Sequence, residues 1–269
     1  MDRPSPPVEP APPAVPAPAV DPVHLPLRLP PGSGAGADRC VVVLHGFTSG
    51  PDSVRAWAEG IAAGGSHVSV PLLPGHGTRW QDLAATGADE IRGAVREAVD
   101  RELNRHRHVV VAGISMGGAL ALDAAAHRPV SAAIVVNPAL RFASPLAPLA
   151  PALAPFVPSV APIANDIADP DARELAYPRT PVAGVATVGR IQRAARRALP
   201  RITAPVTVFR SARDAVVPAA SHRTLLRGLR RAPVDVVPLP RSRHVATLDY
   251  DLPLLIERSR AAVEAATRA

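Results

Sequence analysis

The sequence predicts an α/β fold: a mostly parallel central sheet covered by helices on both faces. Three observations carry that expectation. Short, continuously apolar, β-branched runs such as Val41-Val42-Val43-Leu44 and Val109-Val110-Val111-Ala112 read as strands buried on both faces. Longer stretches with helical spacing lie between them, as in Ile91, Val95, Val99 and Leu103, which recur every four residues. Strand and helix then alternate along the chain, the pattern of parallel strands joined by helical crossovers.

Taken in order, residues 1–23 are rich in Pro and Ala, have little to bury and read as a disordered or polyproline-II tail. His24 to Leu29 alternates weakly, as an edge strand would. Gly32-Ser33-Gly34-Ala35-Gly36 is a flexible connector without the strand-before, helix-after setting of a dinucleotide loop. The tail and connector together occupy residues 1–38, and a folded domain occupies 39–269. Val41 to Leu44 is a buried strand, Pro51 to Ala63 a helix with Pro51 in its first turn, and His67 to Val70 a short strand. An amphipathic helix covers about Asp89 to Arg105, with Glu97 and Arg101 paired on its outer face. Val109 to Ala112 is a strand, Gly118 to Ala126 an Ala/Leu-rich helix, and Ala132 to Val136 another strand. From Pro138 to about Pro200 the alternation stops, and a basic helix is expected only around Ile191 to Leu199. Val206 to Phe209, a helix over Pro218 to Leu229, the strand Val234 to Leu239 and a helix over Leu252 to Ala266 complete the chain. The right-handed crossover rule places the carboxyl ends of all the parallel strands on one edge.

Composition narrows the function. The 269 residues carry a net charge of +7, yet every basic side chain other than histidine is arginine and acids are interspersed among them. No single basic stripe results, so nucleic acid is not an expected partner, while attraction to an anionic membrane surface stays open. One cysteine, Cys40, excludes an internal disulfide, offers no metal cluster and reads as a small buried hydrophobe. No metal site is expected. The N-terminal residues lack the basic and apolar regions of a secretory signal. Ser144 to Ile163 is uncharged but interrupted by six prolines, which no bilayer helix tolerates. These features imply a cytoplasmic protein.

Chemistry concentrates in Gly113-Ile114-Ser115-Met116-Gly117, between a buried strand and a helix. A glycine-flanked serine in that setting is a nucleophile elbow. The turn is so sharp that a Cβ at Gly113 or Gly117 would collide with neighbouring backbone. It lifts the Ser115 hydroxyl off the sheet edge and turns the Met116 N–H toward an oxygen placed beside it. Serine needs a base, itself oriented by a third group. In this arrangement the chain order is serine, acid, histidine. Asp214 follows the strand Val206 to Phe209, and His244 lies in the loop after the next strand; both occupy the edge that holds Ser115. Ser115 is therefore assigned as nucleophile, His244 as general base and then acid, and Asp214 as the orienting carboxylate. His222 falls inside a helix, His106 and His108 flank the elbow strand, and His127 ends the elbow helix, where surface or capping roles suit them. Asp235 is in mid-strand, and Asp249 and Asp251 come after the histidine. The oxyanion donors are assigned to the Met116 and Phe47 amides, the latter in the exit loop of the first buried strand.

Four segments together carry a resemblance: His45-Gly46-Phe47-Thr48, Pro74-Gly75-His76-Gly77-Thr78, Gly113-Ile114-Ser115-Met116-Gly117-Gly118, and His244-Val245-Ala246-Thr247-Leu248-Asp249-Tyr250-Asp251. Over about residues 40 to 266 the chain resembles α/β-hydrolases, and more narrowly the bacterial monoacylglycerol lipase and carboxylesterase group. The resemblance implies the α/β-hydrolase fold, with a small cap inserted after the sixth strand over residues 138–200. It implies the same triad, the Phe47 and Met116 oxyanion hole, and no cofactor. It also implies that Glu174, in Asp169-Pro170-Asp171-Ala172-Arg173-Glu174-Leu175-Ala176-Tyr177, faces the glycerol end of a substrate. An apolar cap gains about 0.8 kcal/mol per buried CH₂ of an acyl chain. The expected activity is cleavage of monoacylglycerols to fatty acid and glycerol through an acyl-enzyme on Ser115. A general carboxylesterase for short or medium acyl esters, and a non-catalytic scaffold of the same fold, are the alternatives. The apolar stretch Ala147 to Ile163 could rest on a membrane surface. Oligomeric state is not legible.

Overall fold

The computed structural model describes residues 19–32 and 38–268. The tail expected over residues 1–23 lies outside the described residues as far as residue 18, and so does the connector from residue 33 to residue 37. In chain order the elements are β1 (Leu27–Leu29), β2 (Arg39–Leu44), α1 (Arg55–Ala63), β3 (His67–Val70), α2 (Trp80–Ala85), α3 (Ala88–Leu103), β4 (His108–Ile114), α4 (Met116–Ala125), β5 (Ala132–Val136), α5 (Ala150–Leu153), β6 (Ser159–Val160), β7 (Thr180–Pro181), α6 (Val182–Ala198), β8 (Val206–Ser211), α7 (Ala219–Gly228), β9 (Val234–Leu239) and α8 (Leu252–Thr267). Seven strands form the sheet in the order β1-β3-β2-β4-β5-β8-β9. All neighbours are parallel except β1, which pairs antiparallel with β3 at one edge.

The apolar runs form strands because they bury both faces. Alternate side chains point to opposite sides, so Val42 and Leu44 join the cluster under α3, α4 and α6, while Val41 and Val43 join the one under α1 and α8. The four-residue spacing in α3 buries Ile91, Val95 and Val99, as expected. On the other face the Trp57 indole N–H donates to Ser259 Oγ at 3.0 Å and fastens α1 to α8.

Four details differ from the expectation. Pro51–Val54 is a 3₁₀ turn, and α1 proper starts at Arg55. The six-residue α2 is too short to show a period. Helix α6 begins at Val182, well before Ile191, although Gly184 and Gly189 weaken its propensity. Tertiary packing overrides that weakness, because Val188, Ile191 and Ala195 are buried in the core against α4. The long insertion begins after Asn137 as expected, but β5 is the fifth strand among the described residues, not the sixth. The sheet has a single N-terminal edge strand, Leu27–Leu29, so the count is one short.

Residues between β5 and α6 contain only short pieces: α5, of four residues, and the two-residue strands β6 and β7, which pair antiparallel. No helix among the described residues is long and apolar enough to cross a membrane.

Candidate active site

Ser115 stands between β4 and α4 with φ 54° and ψ −117°, backbone values that a non-glycine residue adopts only when its surroundings hold it there. They do hold it. The Ser115 N–H donates to Val136 O at 3.0 Å, and Ser115 O accepts from Ala119 and Ala139 N–H at 3.1 and 3.0 Å. A Cβ at Gly113 would lie 2.3 Å from Gly117 O, and one at Gly117 would lie 2.2 Å from Leu44 O. Both glycines are thus required by close approach of backbone. Ser115 caps α4 without using its side chain, which leaves the hydroxyl free to face outward.

β8 delivers Asp214 and the loop after β9 delivers His244. The imidazole Nδ1 lies 3.1 Å from Asp214 Oδ1, at an angle short of good hydrogen-bond alignment. Asp214 Oδ1 accepts the Val216 and Val217 N–H groups at 2.9 and 2.8 Å, and Arg210 reaches Oδ2 at 3.1 Å. Burial pushes the Asp214 carboxyl up, but the neighbouring imidazole and these two amides outweigh it, and the group sits below its ordinary value. With Nδ1 facing the carboxylate, Nε2 is the ring nitrogen left for chemistry.

The first exit loop is held by paired histidines. His45 Nε2 accepts the Leu73 N–H at 3.1 Å, so the proton is on Nδ1, which donates to Gly46 O at 2.9 Å. Burial pushes the His45 pKa well down, and the ring is neutral. Tyr177 ties in the insertion: its N–H donates to Thr48 O, and its hydroxyl donates to Gly75 O and accepts from the Thr78 N–H. Phe47 sits in this loop, and Met116 is the first residue of α4, where backbone N–H groups have no helical partner.

Ser115, Met116, Phe47, His244 and Glu174 all line one cavity of about 570 Å³. Asp214 lies behind it, against the imidazole. Ser115 and His244 share the cavity with no direct hydrogen bond between them among the described residues. The walls are mainly apolar, with Phe142, Leu146, Leu153, Val182, Val185 and Val188 among them. Glu174 is half-buried; burial pushes its carboxyl up, opposed by the Asn165 N–H it accepts at 3.3 Å and by the nearby His244 and Ser49. Neither cavity carboxylate, Asp166 or Glu174, belongs to a three-residue group with metal-ligand spacing among the described residues.

Sequence reasoning missed the residues that hold the loops. Asn137, at φ 43°, donates through Nδ2 to Ser211 Oγ and His244 O and accepts the Ser211 N–H, joining the ends of β5 and β8 to the histidine loop. Asp166 Oδ2 accepts the Ala215 N–H at 2.9 Å and the His244 N–H at 3.2 Å, bridging the loops that carry Asp214 and His244. Asp249 accepts the N–H groups of Ala168, Asp169, Arg243 and Tyr250, and Asp251 accepts those of Arg241 and Ser242. The signal available for Asp249 and Asp251 was the acid-rich stretch Asp249-Tyr250-Asp251 directly after the histidine loop.

The model of the alpha/beta hydrolase family matches residues 41–265. This chain belongs to that family. Among curated members, a thermostable monoacylglycerol lipase from Bacillus sp. (strain H-257) is 36% identical over 220 residues, covering 81% of this chain and 88% of the relative. Among solved structures of such hydrolases, one from the metagenome-derived lipolytic enzymes LipS and LipT superposes with a TM-score of 0.85 at 35% identity, covering 92% of this chain and all of the other. A soluble variant of the monoglyceride lipase of Saccharomyces cerevisiae, bound to a substrate analogue, shares the fold at a TM-score of 0.76 and 15% identity, over 90% of this chain and 91% of its own.

Proposed function

We propose that this ester-hydrolysing alpha/beta hydrolase cleaves monoacylglycerols, with Ser115, His244 and Asp214 as its catalytic triad. The observation that carries the reading is the single apolar cavity that gathers the serine, the imidazole and one half-buried carboxylate, Glu174. In the proposed reaction, His244 Nε2 takes the Ser115 proton as Oγ attacks the ester carbonyl. The Phe47 and Met116 N–H groups receive the oxyanion, and the loss of one such donor typically costs about 10²–10³ in turnover. The imidazolium returns its proton to the departing glycerol oxygen, and water, deprotonated by the same ring, hydrolyses the acyl-enzyme. Asp214 holds the ring and balances its charge. The Ser115 to His244 approach tightens when substrate fills the cavity, as is common for catalytic hydrogen bonds.

Glu174, beside Ser49 and His244, accepts the glycerol hydroxyls, and the acyl chain runs along the apolar wall. Residues 138–181 serve as the cap. This is narrower than the span 138–200, because α6 buries its inner face in the core. Leu146, Leu149, Leu153, Phe156 and Ile163 stand exposed on this segment, with Phe156 83% accessible. We place that face on a lipid surface, with the protein peripheral to the cytoplasmic side.

A fluorophosphonate probe and a substrate series test the reading. Wild type is labelled and Ser115→Ala is not; 1-lauroylglycerol is hydrolysed faster than ethyl laurate, and triolein slowest. Labelling of Ser115→Ala overturns the nucleophile. Equal rates on the glyceride and the ethyl ester make the enzyme a general carboxylesterase.

A further inference from the structure

At the edge opposite Ser115, the N-terminal ends of the parallel strands enclose a second cavity, of about 250 Å³. Cys40 is the second residue of β2, His67 the first of β3, Glu102 lies in the last turn of α3, and His106 leads into β4. One ligand atom from each of Cys40, Glu102 and His106 lies within 4.8 Å of the other two. The Glu102 side chain is 1% exposed, and Arg28, from β1, reaches only its Oε1, at 2.7 Å. Oε2 is buried in the cluster without an oxygen or nitrogen hydrogen-bond partner, and the Cys40 thiol beside it is only a weak donor to this carboxylate. Oε2 stands 3.5 Å from His106 Nδ1, which is hydrogen-bonded instead to the Glu102 main-chain oxygen at 3.3 Å and so leaves Nε2 as the free ring nitrogen. Buried carboxylate oxygens left unpaired are uncommon and call for an explanation. A weak S–H donor meets that need only in part.

We propose that Cys40, Glu102 and His106 form a structural divalent-metal site of zinc type, with water in the fourth position. The donor set decides the class of ion. Sulfur, imidazole nitrogen and carboxylate oxygen together suit Zn²⁺, whereas Mg²⁺ and Ca²⁺ take all-oxygen sites. Metal-free, a neutral thiol and the Glu102–Arg28 pair sum to zero. With Zn²⁺ bound, thiolate and carboxylate offset the ion, and Arg28, which remains on Oε1 as the outer partner of the ligating carboxylate, leaves the site at +1. Burial first, and Glu102 second, push the Cys40 thiol up to about 12. Metal binding replaces the S–H bond with an S–Zn bond and releases one proton to solvent. His67, whose ring centroid is 4.9 Å from that of His106, borders the open position. The ion would staple α3 to β2 on the side of the sheet away from the ester chemistry. It would raise thermal stability and leave ester hydrolysis unchanged.

Cobalt titration of the metal-free, untagged full chain tests this independently of any catalytic assignment. The expected result is one Co²⁺ per chain, with a thiolate charge-transfer band and the intense d–d absorption of a four-coordinate site, both displaced by Zn²⁺. Cys40→Ala should lose the charge-transfer band. His106→Gln should keep that band and bind more weakly, by at least the roughly 10–100-fold that loss of an outer partner costs. Zn²⁺ should raise the melting temperature of wild type and not of Cys40→Ala. Circular dichroism reports that each variant is folded, and His106→Gln carries the test if Cys40→Ala is not. Absence of saturable one-to-one binding, or an unchanged spectrum in Cys40→Ala, overturns the site.

Discussion

The rim of the sheet and the segment that overhangs it are built on opposite terms. At the rim, buried carboxylates are saturated by backbone N–H groups: Asp214 by those of Val216 and Val217, Asp249 by four and Asp251 by two. Each loop is thereby locked within itself or to a neighbouring loop. The overhanging residues 143–163 have short, proline-interrupted elements and a row of exposed apolar side chains. A rigid rim suits chemistry, which tolerates little misplacement. A loosely built apolar mouth suits acyl chains, which need area more than direction. The rim should therefore control turnover, and the overhang should control which ester enters.

The largest expected break is at the rim. Asp214→Asn should lower kcat by about 10⁴, the effect of presenting the wrong imidazole tautomer, with near-native circular dichroism; a loss under tenfold would remove Asp214 from the triad. Asp166→Ala, which unties the acid and base loops without touching the reacting atoms, should cost about 10², in kcat far more than in KM. An equal rise in KM would make Asp166 a binding group instead of a positioning one.

Glu174→Gln should lower the preference for 1-lauroylglycerol over ethyl laurate by about tenfold, the worth of one good hydrogen bond, with turnover of the ethyl ester intact. The two regions also differ in pH. Asp214, held below its ordinary 3.8, binds its proton more weakly folded than unfolded. The stability it contributes is present above 3.8 and is lost as pH falls through its lower folded value. Glu174, raised above 4.5, behaves oppositely: its contribution is complete below 4.5 and is lost as pH rises through its folded value. Acidification from neutral should accordingly erode the glyceride preference while Asp214 stays ionised. The ratio of the two kcat/KM values isolates this, since the shared proton transfers cancel. A ratio independent of pH down to 4.5 would contradict a charged Glu174 at the glycerol. Glu174→Gln should also have a melting temperature at pH 7 no lower than wild type.

The smallest effect concerns the outermost side chains. Phe156→Ser should leave hydrolysis of a soluble short-chain ester unchanged and slow hydrolysis of vesicle-borne monoacylglycerol severalfold; equal slowing of both would place Phe156 in the cavity wall instead.

How legible each region was follows from the range of the interactions. Ser115 could be read because strand, elbow and helix are contiguous, and the steric demand on Gly113 and Gly117 is local. Asp214 and His244 could be read because parallel crossovers send both loops to the same edge, so position along the chain implies position in space. Helix α2 and the early start of α6 could not be read: one is too short for a period, and the other owes its first turns to contacts across the fold.

By itself the sequence determined which segments are strands, on which edge Ser115, Asp214 and His244 emerge, and the family to which the chain belongs. These rest on period, steric demand and chain order. Only the tertiary structure decided that Asn137, Asp166, Asp249 and Asp251 hold the loops, and that Cys40 stands beside Glu102 and His106. A carboxylate's partners are backbone amides far away in the chain, and nothing in its neighbours' identities records which ones it meets.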